Sequence, residues 1–420
     1  MPTRRTFIGT IGAAIGATGF ATAVSGQTSN GSSQRNGATS AADPTDWPRF
    51  KFDSGNTGYN PAGTAPQTAP ETLWTAENGL YGDQTQDPCV AGGLVYDARQ
   101  SANDQTPGVW AFDAESGEEV WSAELTQTPR TIVAADGSLH VATGMRLIKL
   151  DAETGERLGQ RLTADEIDAT PPVVAPPAVA DGTLYVLNND RNTITAVDVE
   201  SYDQLWQTDR NVDETPPAVA GGSVFFESDH RVAELDATDG SEQRVFEFDL
   251  VTAPVVSDGV LYAATEGALD AYDLDSGDRI WRYVSDEVRR YYPTSPVVDD
   301  DRVYVSDSHP NTPLVALDAA TGSVEWRFTD DAACGRRDWE PGVARVGDLL
   351  VAANSKGTFY GIDPSSGEMR WRYHTDAVDP WSSRTLVDFA VADGHIYAQF
   401  HGENGTYDEI HAIGVAEGSE

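Results

Sequence analysis

Short apolar runs separated by turn-forming residues follow one another along most of the chain. A pair of such runs, joined by Asp-Gly, Gly-Gly or a similar turn, occurs eight times, at residues 88–96, 132–140, 177–185, 217–225, 254–262, 296–304, 341–350 and 390–397. Asp-Gly and Gly-Gly favour tight hairpin turns because these residues tolerate positive φ. The pattern therefore predicts eight β-hairpins.

A second motif follows the hairpins: an apolar strand ending in Asp, a Ser/Thr-Gly turn, and a Trp on the next strand. Four copies are complete, namely Asp113/Gly117/Trp121, Asp273/Gly277/Trp281, Asp318/Gly322/Trp326 and Asp363/Gly367/Trp371. Three are incomplete, because Asp151/Gly155 and Asp236/Gly240 lack the Trp, and Asp198/Trp206 carries Tyr202 in place of the Gly. We interpret these residues as a structural repeat in which Asp caps the turn, Gly supplies positive φ and Trp fills the space between neighbouring sheets.

The two motifs together describe a four-stranded unit repeated at intervals of roughly 40 residues. Such units cannot bury both faces alone and must stack radially, which predicts an all-β fold, an eight-bladed β-propeller of four-stranded antiparallel blades. The last unit lacks an outer strand, and residues 71–76 form a strand with a Trp but no hairpin of their own. We expect this N-terminal strand to complete blade eight, which would close the ring and remove two open sheet edges.

The repeat resembles that of the pyrroloquinoline-quinone-type (PQQ-like) propeller family. Residues 46–50 (DWPRF) and 56–61 (NTGYNP) resemble the lead-in that precedes the first blade in many members, and the resemblance extends over about residues 46–414. It implies the propeller fold. It leaves function open, because the family includes quinoprotein dehydrogenases, non-catalytic propellers such as the outer-membrane assembly lipoprotein, and exported sensor or surface proteins.

Membership of the dehydrogenase branch would imply an adjacent Cys pair over the quinone, a Ca²⁺ ion, a catalytic Asp and long insertions. Here Cys89 and Cys334 are far apart in the chain, and little sequence remains for insertions. No metal-binding His spacing, Gly-x-Ser-x-Gly elbow or phosphate loop occurs either. We therefore assign no catalytic residue and expect no cofactor, with PQQ and Ca²⁺ as the alternative; whether a metal binds is left open.

The seven histidines do not form a recognisable motif. His140 and His395 fall in predicted hairpins, where a structural role is expected. His230, beside Glu227 and Asp229, and His401, near Glu403 and Asp408, fall in loops between second and third strands, and we interpret both as solvated side chains.

The charge of the chain excludes one class of partner. With 28 Lys and Arg against 67 Asp and Glu, the net charge is −39, which would repel nucleic acid. Scarce lysine and dispersed acids fit a halophilic protein, because high salt screens the self-repulsion. An ordinary acidic exported protein is the alternative.

The N-terminus predicts export. Residues 1–26 combine Arg4-Arg5 with a weakly apolar stretch that ends at small residues, as in a twin-arginine signal peptide. A transmembrane anchor at residues 7–24 is the alternative, and a lipoprotein anchor is not expected because no Cys lies near the cleavage region. Residues 27–45 predict a flexible linker and residues 46–420 the propeller, with no membrane span in the mature chain.

One cluster of loop residues departs from the acidic composition. The loops joining blades five to eight pair arginines with aromatics: Arg289, Arg290 and Tyr292; Arg336, Arg337 and Trp339; Trp381 and Arg384. Such side chains suit carboxylate, phosphate or sugar ligands, although the arginines could instead neutralise nearby acids. We therefore predict an exported, monomeric, non-catalytic scaffold that binds a protein or an anionic or sugar ligand on this loop face. The alternatives are a PQQ-dependent dehydrogenase with a reduced site and a polysaccharide-binding surface protein.

Overall fold

The computed structural model describes residues 45–77, 88–99, 106–143, 146–162, 175–189, 191–213, 215–250, 252–265, 267–285, 294–306, 313–330, 342–376, 378, 385–401 and 409–416. They all belong to one compact unit, residues 37–420. Every regular element in these ranges is a β-strand. The predicted signal peptide and nearly all of the predicted linker lie outside the described residues.

The strands form eight sheets that correspond to eight blades, and all but one of the described strand pairs are antiparallel. Before the first blade come β1 (Tyr59–Asn60) and β2 (Glu71–Glu77). Blade one comprises β3 (Cys89–Ala91), β4 (Leu94–Arg99), β5 (Gly108–Asp113) and β6 (Glu119–Glu124). Blade two comprises β7 (Pro129–Ala135), β8 (Ser138–Thr143), β9 (Arg146–Asp151) and β10 (Arg157–Leu162). Blade three comprises β11 (Ala178–Ala180), β12 (Thr183–Asn188), β13 (Thr193–Asp198) and β14 (Gln204–Asp209).

The next three blades have the same order of strands. Blade four comprises β15 (Ala218–Ala220), β16 (Ser223–Ser228), β17 (Arg231–Asp236) and β18 (Glu242–Phe246). Blade five comprises β19 (Val255–Ser257), β20 (Val260–Thr265), β21 (Ala268–Asp273) and β22 (Arg279–Tyr283). Blade six comprises β23 (Val297–Val298), β24 (Arg302–Val305), β25 (Leu314–Asp318) and β26 (Val324–Phe328).

The last two blades incorporate strands from the N-terminal segment. Blade seven comprises β27 (Val343–Val346), β28 (Leu349–Ala353), β29 (Thr358–Ile362) and β30 (Met369–His374), and β1 adds a short parallel strand to β27. Blade eight comprises β31 (Thr385–Ala392), β32 (His395–His401) and β33 (Glu409–Gly414), and β2 pairs antiparallel with β33 as its outer strand. The predicted closure of the ring by the N-terminal strand is confirmed.

The turn between the first and second strands has the geometry that its sequence demands. In blades two, three, five and eight an Asp with φ of 45° to 49° precedes a Gly, and blades one and four use Gly-Gly. Both central residues thus have positive φ, as in the hairpin turns whose twist matches that of the flanking strands.

Trp side chains join most neighbouring blades. Trp74, Trp121, Trp206, Trp281 and Trp326 each donate Nε1–H to a backbone carbonyl of the next blade at 2.8–3.0 Å. Each ring also lies on the turn Gly of that blade, so closely that a Cβ there would be 2.5–2.6 Å from it. The Trp and the Gly therefore form one contact across the seam between blades.

The turn glycines of blades six and seven have a second role besides the positive φ that the motif predicts. Gly322 and Gly367 have φ of 69° and 73°, so both supply the positive φ of the turn. Positive φ is only part of their role, however, because Gly322 lies beneath Trp281 of blade five and Gly367 beneath Trp326 of blade six. The absence of a side chain at each Gly is thus also required by the Trp of the preceding blade, and the Gly and Trp of one motif copy serve two different seams.

Trp371 departs from the predicted role of the repeat Trp. It is buried on the outer strand of blade seven, but its Nε1–H donates to Pro66 O, at 2.7 Å, in the N-terminal segment and not to a turn of the next blade. The physical reason is that blade eight is built from the two ends of the propeller sequence. Its third strand ends at Gly414 and its outer strand begins at Glu71, so no Asp-to-Gly turn joins them. Pro66 supplies the carbonyl that such a turn provides elsewhere.

At two seams another residue occupies the Trp position. At the seam between blades two and three Gly159 takes it, and Lys149 Nζ donates to Val199 O at 2.9 Å as the Trp does elsewhere. At the seam between blades four and five Arg244 takes it, pairs with Glu234, and lies against Gly277 of the next turn. These are two of the three incomplete copies of the repeat.

Candidate functional site

The N-terminal segment before blade eight's outer strand runs around the inside of the ring. We call residues 46–66 the belt. Belt backbone atoms bond to the inner strand or first turn of seven blades in chain order, through Trp47–Val90, Pro48–Ala134, Ser54–Val219, Gly55–Val256, Thr57–Val298, Gly58–Arg345 and Thr64–Gly394. Blade three is bound by a side chain, because Arg49 Nη1 donates to Val179 O. The belt therefore uses the polar edge that each inner strand presents to the axis.

The ring has a cavity of about 630 Å³ at the end of its axis where the first turns of the blades lie. The cavity is between the belt and several of these turns. Its lining includes one guanidinium, Arg49, and seven carboxyl side chains: Asp46, Asp53, Asp136, Glu153, Asp181, Asp258 and Asp300. The described part of the cavity is thus strongly anionic.

Two of these charged groups serve the belt itself. Asp53 is half-buried and accepts hydrogen bonds from Thr57 N at 2.8 Å and Thr57 Oγ1 at 2.5 Å. Burial raises the pKa of Asp53, against the hydrogen bonds from Thr57 and the charge of Arg49. Burial lowers the pKa of Arg49, which the nearby Asp53 raises. These partners make both residues anchors of the belt.

Cys89 is also engaged by the belt. It is buried, forms no disulfide within the described residues, and its thiol donates to Pro48 O at 3.2 Å. Burial raises the pKa of this thiol to about 12, so it is a protonated, unreactive group at neutral pH. Cys334 lies outside the described residues.

The described end of the axis does not fit the quinone that the dehydrogenase branch implies. PQQ is an anionic polycarboxylate, whereas this cavity presents seven carboxyl groups and one half-buried guanidinium that is already engaged. Cys89 has no neighbouring cysteine in the chain to provide an adjacent disulfide.

The predicted arginine and aromatic loop cluster lies outside the described residues. This holds for all eight side chains: Arg289, Arg290, Tyr292, Arg336, Arg337, Trp339, Trp381 and Arg384. Their convergence on one face stays a prediction. No helix in the described ranges is long and apolar enough to cross a bilayer.

The histidines occupy different environments. His140 is fully buried, and its Nδ1 lies 2.7 Å from Tyr202 Oη. His395 is the first residue of β32 in blade eight, directly after the turn, with Nδ1 2.7 Å from Asp393 O. His230 is largely exposed, but its Nδ1 lies 3.5 Å from Glu227 Oε1 and its backbone N–H donates to Asp213. Sequence reasoning identified Glu227 beside His230 and missed Asp213, because nothing in the spacing links a residue before β15 to the turn after β16.

The Asp residues of the structural repeat cap the turns between third and fourth strands. Asp113 Oδ1, for example, accepts from Ser116 N and Ser116 Oγ, both at 2.8 Å, and these bonds lower the pKa of Asp113. The following Gly117 has a φ of 72°. The same position accepts from the turn backbone at Asp273, Asp318 and Asp363. Such contacts describe a turn and not a ligand site.

The chain is similar to known proteins of several kinds, and an assembly factor and a dehydrogenase are among them. A family model described as "Outer membrane protein assembly factor BamB" matches residues 67–246, 144–306 and 247–418. The outer membrane protein assembly factor BamB of Salmonella typhimurium is 26% identical over 367 residues, 79% of this chain and 87% of that protein. The quinohemoprotein alcohol dehydrogenase of Comamonas testosteroni is 25% identical over 287 residues, 59% of this chain and 39% of the dehydrogenase.

A solved structure shares the fold. The crystal structure of BamB from Moraxella catarrhalis superposes with a TM-score of 0.60 at 18% identity, covering 84% of this chain and 100% of that chain.

Proposed function

The chain belongs to the family described as outer membrane protein assembly factor BamB, and from this membership we propose that it is an exported, non-catalytic propeller that binds another molecule at the cell surface or outside the cell. An assembly factor and an alcohol dehydrogenase are both among its relatives. The choice between scaffold and enzyme therefore depends on the site, not on the fold.

The belt is the observation that supports a scaffold. It bonds to the inner strands or first turns around the ring, and the cavity it leaves is lined by carboxyl groups. An anionic quinone would enter that cavity against like charge. The exposed loops and turns of the blades are then the surface left for a partner.

A cofactor-loading experiment tests this choice. The purified full chain is incubated with PQQ and Ca²⁺ in about 3 M KCl, where surface charge is screened, and is then gel-filtered. We expect no quinone absorbance to elute with the protein and no dye reduction with alcohols or sugars. Stoichiometric quinone together with dye reduction would instead support the alternative, a PQQ-dependent dehydrogenase with a reduced site.

We place the binding surface on the loops that carry the arginine and aromatic cluster. Guanidinium groups form bidentate hydrogen bonds with carboxylates and phosphates and stack on flat rings. Replacing Arg290, Arg337 and Arg384 by Gln should reduce capture of a protein partner by pull-down, or of a glycan on an array. Arg370→Gln is the control, because Asp348 and Asp363 hold that guanidinium on an outer strand at 2.8 and 2.7 Å.

The outcomes of that experiment separate the candidates. Loss of glycan binding alone would favour the polysaccharide-binding alternative. Binding that is the same in the triple variant and the wild type would mean that these arginines only neutralise neighbouring acids.

Export is the other part of the proposal. We expect the double variant Arg4→Lys, Arg5→Lys to accumulate inside the cell, because the paired arginines are the feature that the twin-arginine route reads. Arg35→Lys, in the predicted linker, is the control. Undiminished extracellular protein from the double variant would exclude this route.

A further inference from the structure

Three potential metal ligands meet at one end of blade four. Asp213 precedes β15, Glu227 lies near the end of β16, and His230 is in the turn between β16 and β17. Their ligand atoms all lie within 4.8 Å of one another. Asp213 N donates to Glu227 O at 3.1 Å, and His230 N donates to Asp213 Oδ2 at 3.1 Å, so the backbone holds the two segments together.

The Glu227 carboxyl group points to a missing partner. Its side chain is only 8% exposed, and among the described residues no lysine or arginine pairs with it. Within the same described ranges its one ion-pair contact is with His230 Nδ1, at 3.5 Å. The Asp213 carboxylate lies beside it, with a carboxylate oxygen of each residue within 4.8 Å of the other. A buried carboxyl group beside a second carboxylate is a position that a cation would stabilise.

We propose that Asp213, Glu227 and His230 bind one divalent transition-metal ion of the Zn²⁺ type. Imidazole nitrogen favours Zn²⁺ and its neighbours over Ca²⁺ and Mg²⁺, which prefer oxygen ligands. Two carboxylates supply the compensating charge. Because His230 is 75% exposed, the remaining coordination positions face solvent and would hold water.

The distances require only a small closure of the three side chains. Zn²⁺ binds nitrogen and oxygen at about 2.0–2.2 Å in a tetrahedral arrangement, so two of its ligands lie about 3.4 Å apart. The present spread of up to 4.8 Å is therefore within reach of rotamer adjustment, and the exposed imidazole is the side chain with room to move. This proposal is independent of the proposed binding function.

Equilibrium dialysis of the full chain against Zn²⁺ in about 3 M KCl tests the site, since high salt suppresses diffuse binding to surface acids. We expect one equivalent to bind saturably in the wild type. Glu227→Gln, Asp213→Asn and His230→Asn should each weaken binding by at least about tenfold. Asn is chosen at position 230 because that residue has a φ of 63°, which Asn tolerates.

Asp229→Asn is the matched control. It removes one charge from the same turn, but Asp229 accepts from Asn211 and is outside the cluster. No saturable Zn²⁺ binding in the wild type, or equal weakening by Asp229→Asn, would overturn the proposal. If Glu227→Gln fails to fold, His230→Asn decides, since His230 is exposed: visible absorption of bound Co²⁺ should change in this variant, and an unchanged spectrum would exclude imidazole ligation.

Discussion

At the seam between blades two and three, the large and the small residue of the repeat are interchanged. Gly159 stands at the outer-strand position that other blades give to Trp, and Tyr202 stands at the turn position that they give to Gly. The Tyr202 ring is buried, stacks on His140 with centroids 5.7 Å apart, and lies under Lys149 Nζ. The large ring thus comes from the opposite blade, and Tyr202 accepts a φ of 62° to supply it.

His140 makes this seam sensitive to acid. Burial, and then the charge of Lys149, lower the pKa of His140 to about 3, from 6.5 in the unfolded chain. Between these values the unfolded state binds the proton and the folded state does not, so stability is full above pH 6.5 and falls as the pH drops. We expect His140→Phe to reduce the loss between pH 7 and pH 5 by about 2 kcal/mol.

Chemical denaturation at several pH values measures this. His395→Gln, at the half-buried first residue of β32 in blade eight, is the control and should leave the wild-type slope unchanged. The His140→Phe variant is also expected to lose some stability at pH 7, because Tyr202 Oη loses its partner. Parallel curves for His140→Phe and the wild type would show that His140 does not titrate in this way.

The sequence predicted less at this seam than elsewhere. A structural role for His140 was foreseen, and Tyr202 was seen only as a missing Gly. The contact between them joins residues 62 positions apart in different blades. A pattern within one repeat carries no information about which neighbour fills a gap in the next.

At the scale of the elements, the contribution of the contact between Trp and Gly to stability can be measured separately from backbone strain at the Gly. Gly155 and Gly137 have nearly equal φ, 71° and 70°. A Cβ at Gly155 would be 2.5 Å from the Trp121 ring, whereas a Cβ at Gly137 would meet nothing within 4 Å. We expect Gly137→Ala to cost about 1–2 kcal/mol for the left-handed backbone, and Gly155→Ala to cost about 1–3 kcal/mol more for the displaced indole.

The two free energies of unfolding, measured by denaturant titration, give the comparison directly. Equal losses in both variants would mean that the Trp121 ring moves freely and that the seam contributes little. Trp121 fluorescence should shift in Gly155→Ala only, although other Trp residues add to the background.

Strands and turns were predictable because their signals are local. The Asp-Gly turns and the Asp, Gly and Trp spacing specified the strands of each blade, and the structure has them. The register shift just before the Trp position, found in all eight outer strands, was not predicted. The shift inserts one residue into a strand, and the spacing from Asp to Trp already includes this residue, so the sequence gives no separate sign of it. In the folded protein the shift interrupts an exposed edge that could otherwise pair with another chain.

At the scale of the whole molecule, the belt and β2 make separable contributions to closure. A chain starting at Thr45 retains both, one starting at Gln67 loses the belt, and one starting at Asp87 loses both. We expect the melting temperature to fall at each step, by at least about 5 °C overall, because inner-strand bonds and then the outer strand of blade eight are lost. Equal melting temperatures for the first and last chains would refute closure by this segment.

The net charge of −39 makes folding depend on salt. Raising KCl from about 0.1 M to about 3 M shortens the Debye length from roughly 10 Å to below about 3 Å and screens repulsion among the carboxylates. The melting temperature should rise markedly over this range, as followed by circular dichroism. An unchanged midpoint would remove the argument for a halophilic protein.

The path of the belt was beyond sequence reasoning. Residues 46–50 and 56–61 marked a lead-in, but backbone carbonyls make most of its contacts and every residue has one. The bond from Trp371 to Pro66 was missed for the same reason. Sequence spacing likewise did not identify the proposed metal site, because its three candidate ligands come from separate segments of blade four.

The length of the belt matches the number of blades in the ring. Its bonds run from blade one at Trp47 to blade eight at Thr64 in the order of the chain, so a fixed length of backbone is laid against a fixed circumference. A ring with an added repeat would outrun this segment, and one with a repeat removed would leave it buckled in the axis. Both the number of repeats and the length of the belt therefore specify eight blades, and any gain or loss of a repeat needs a matching change in the N-terminal segment.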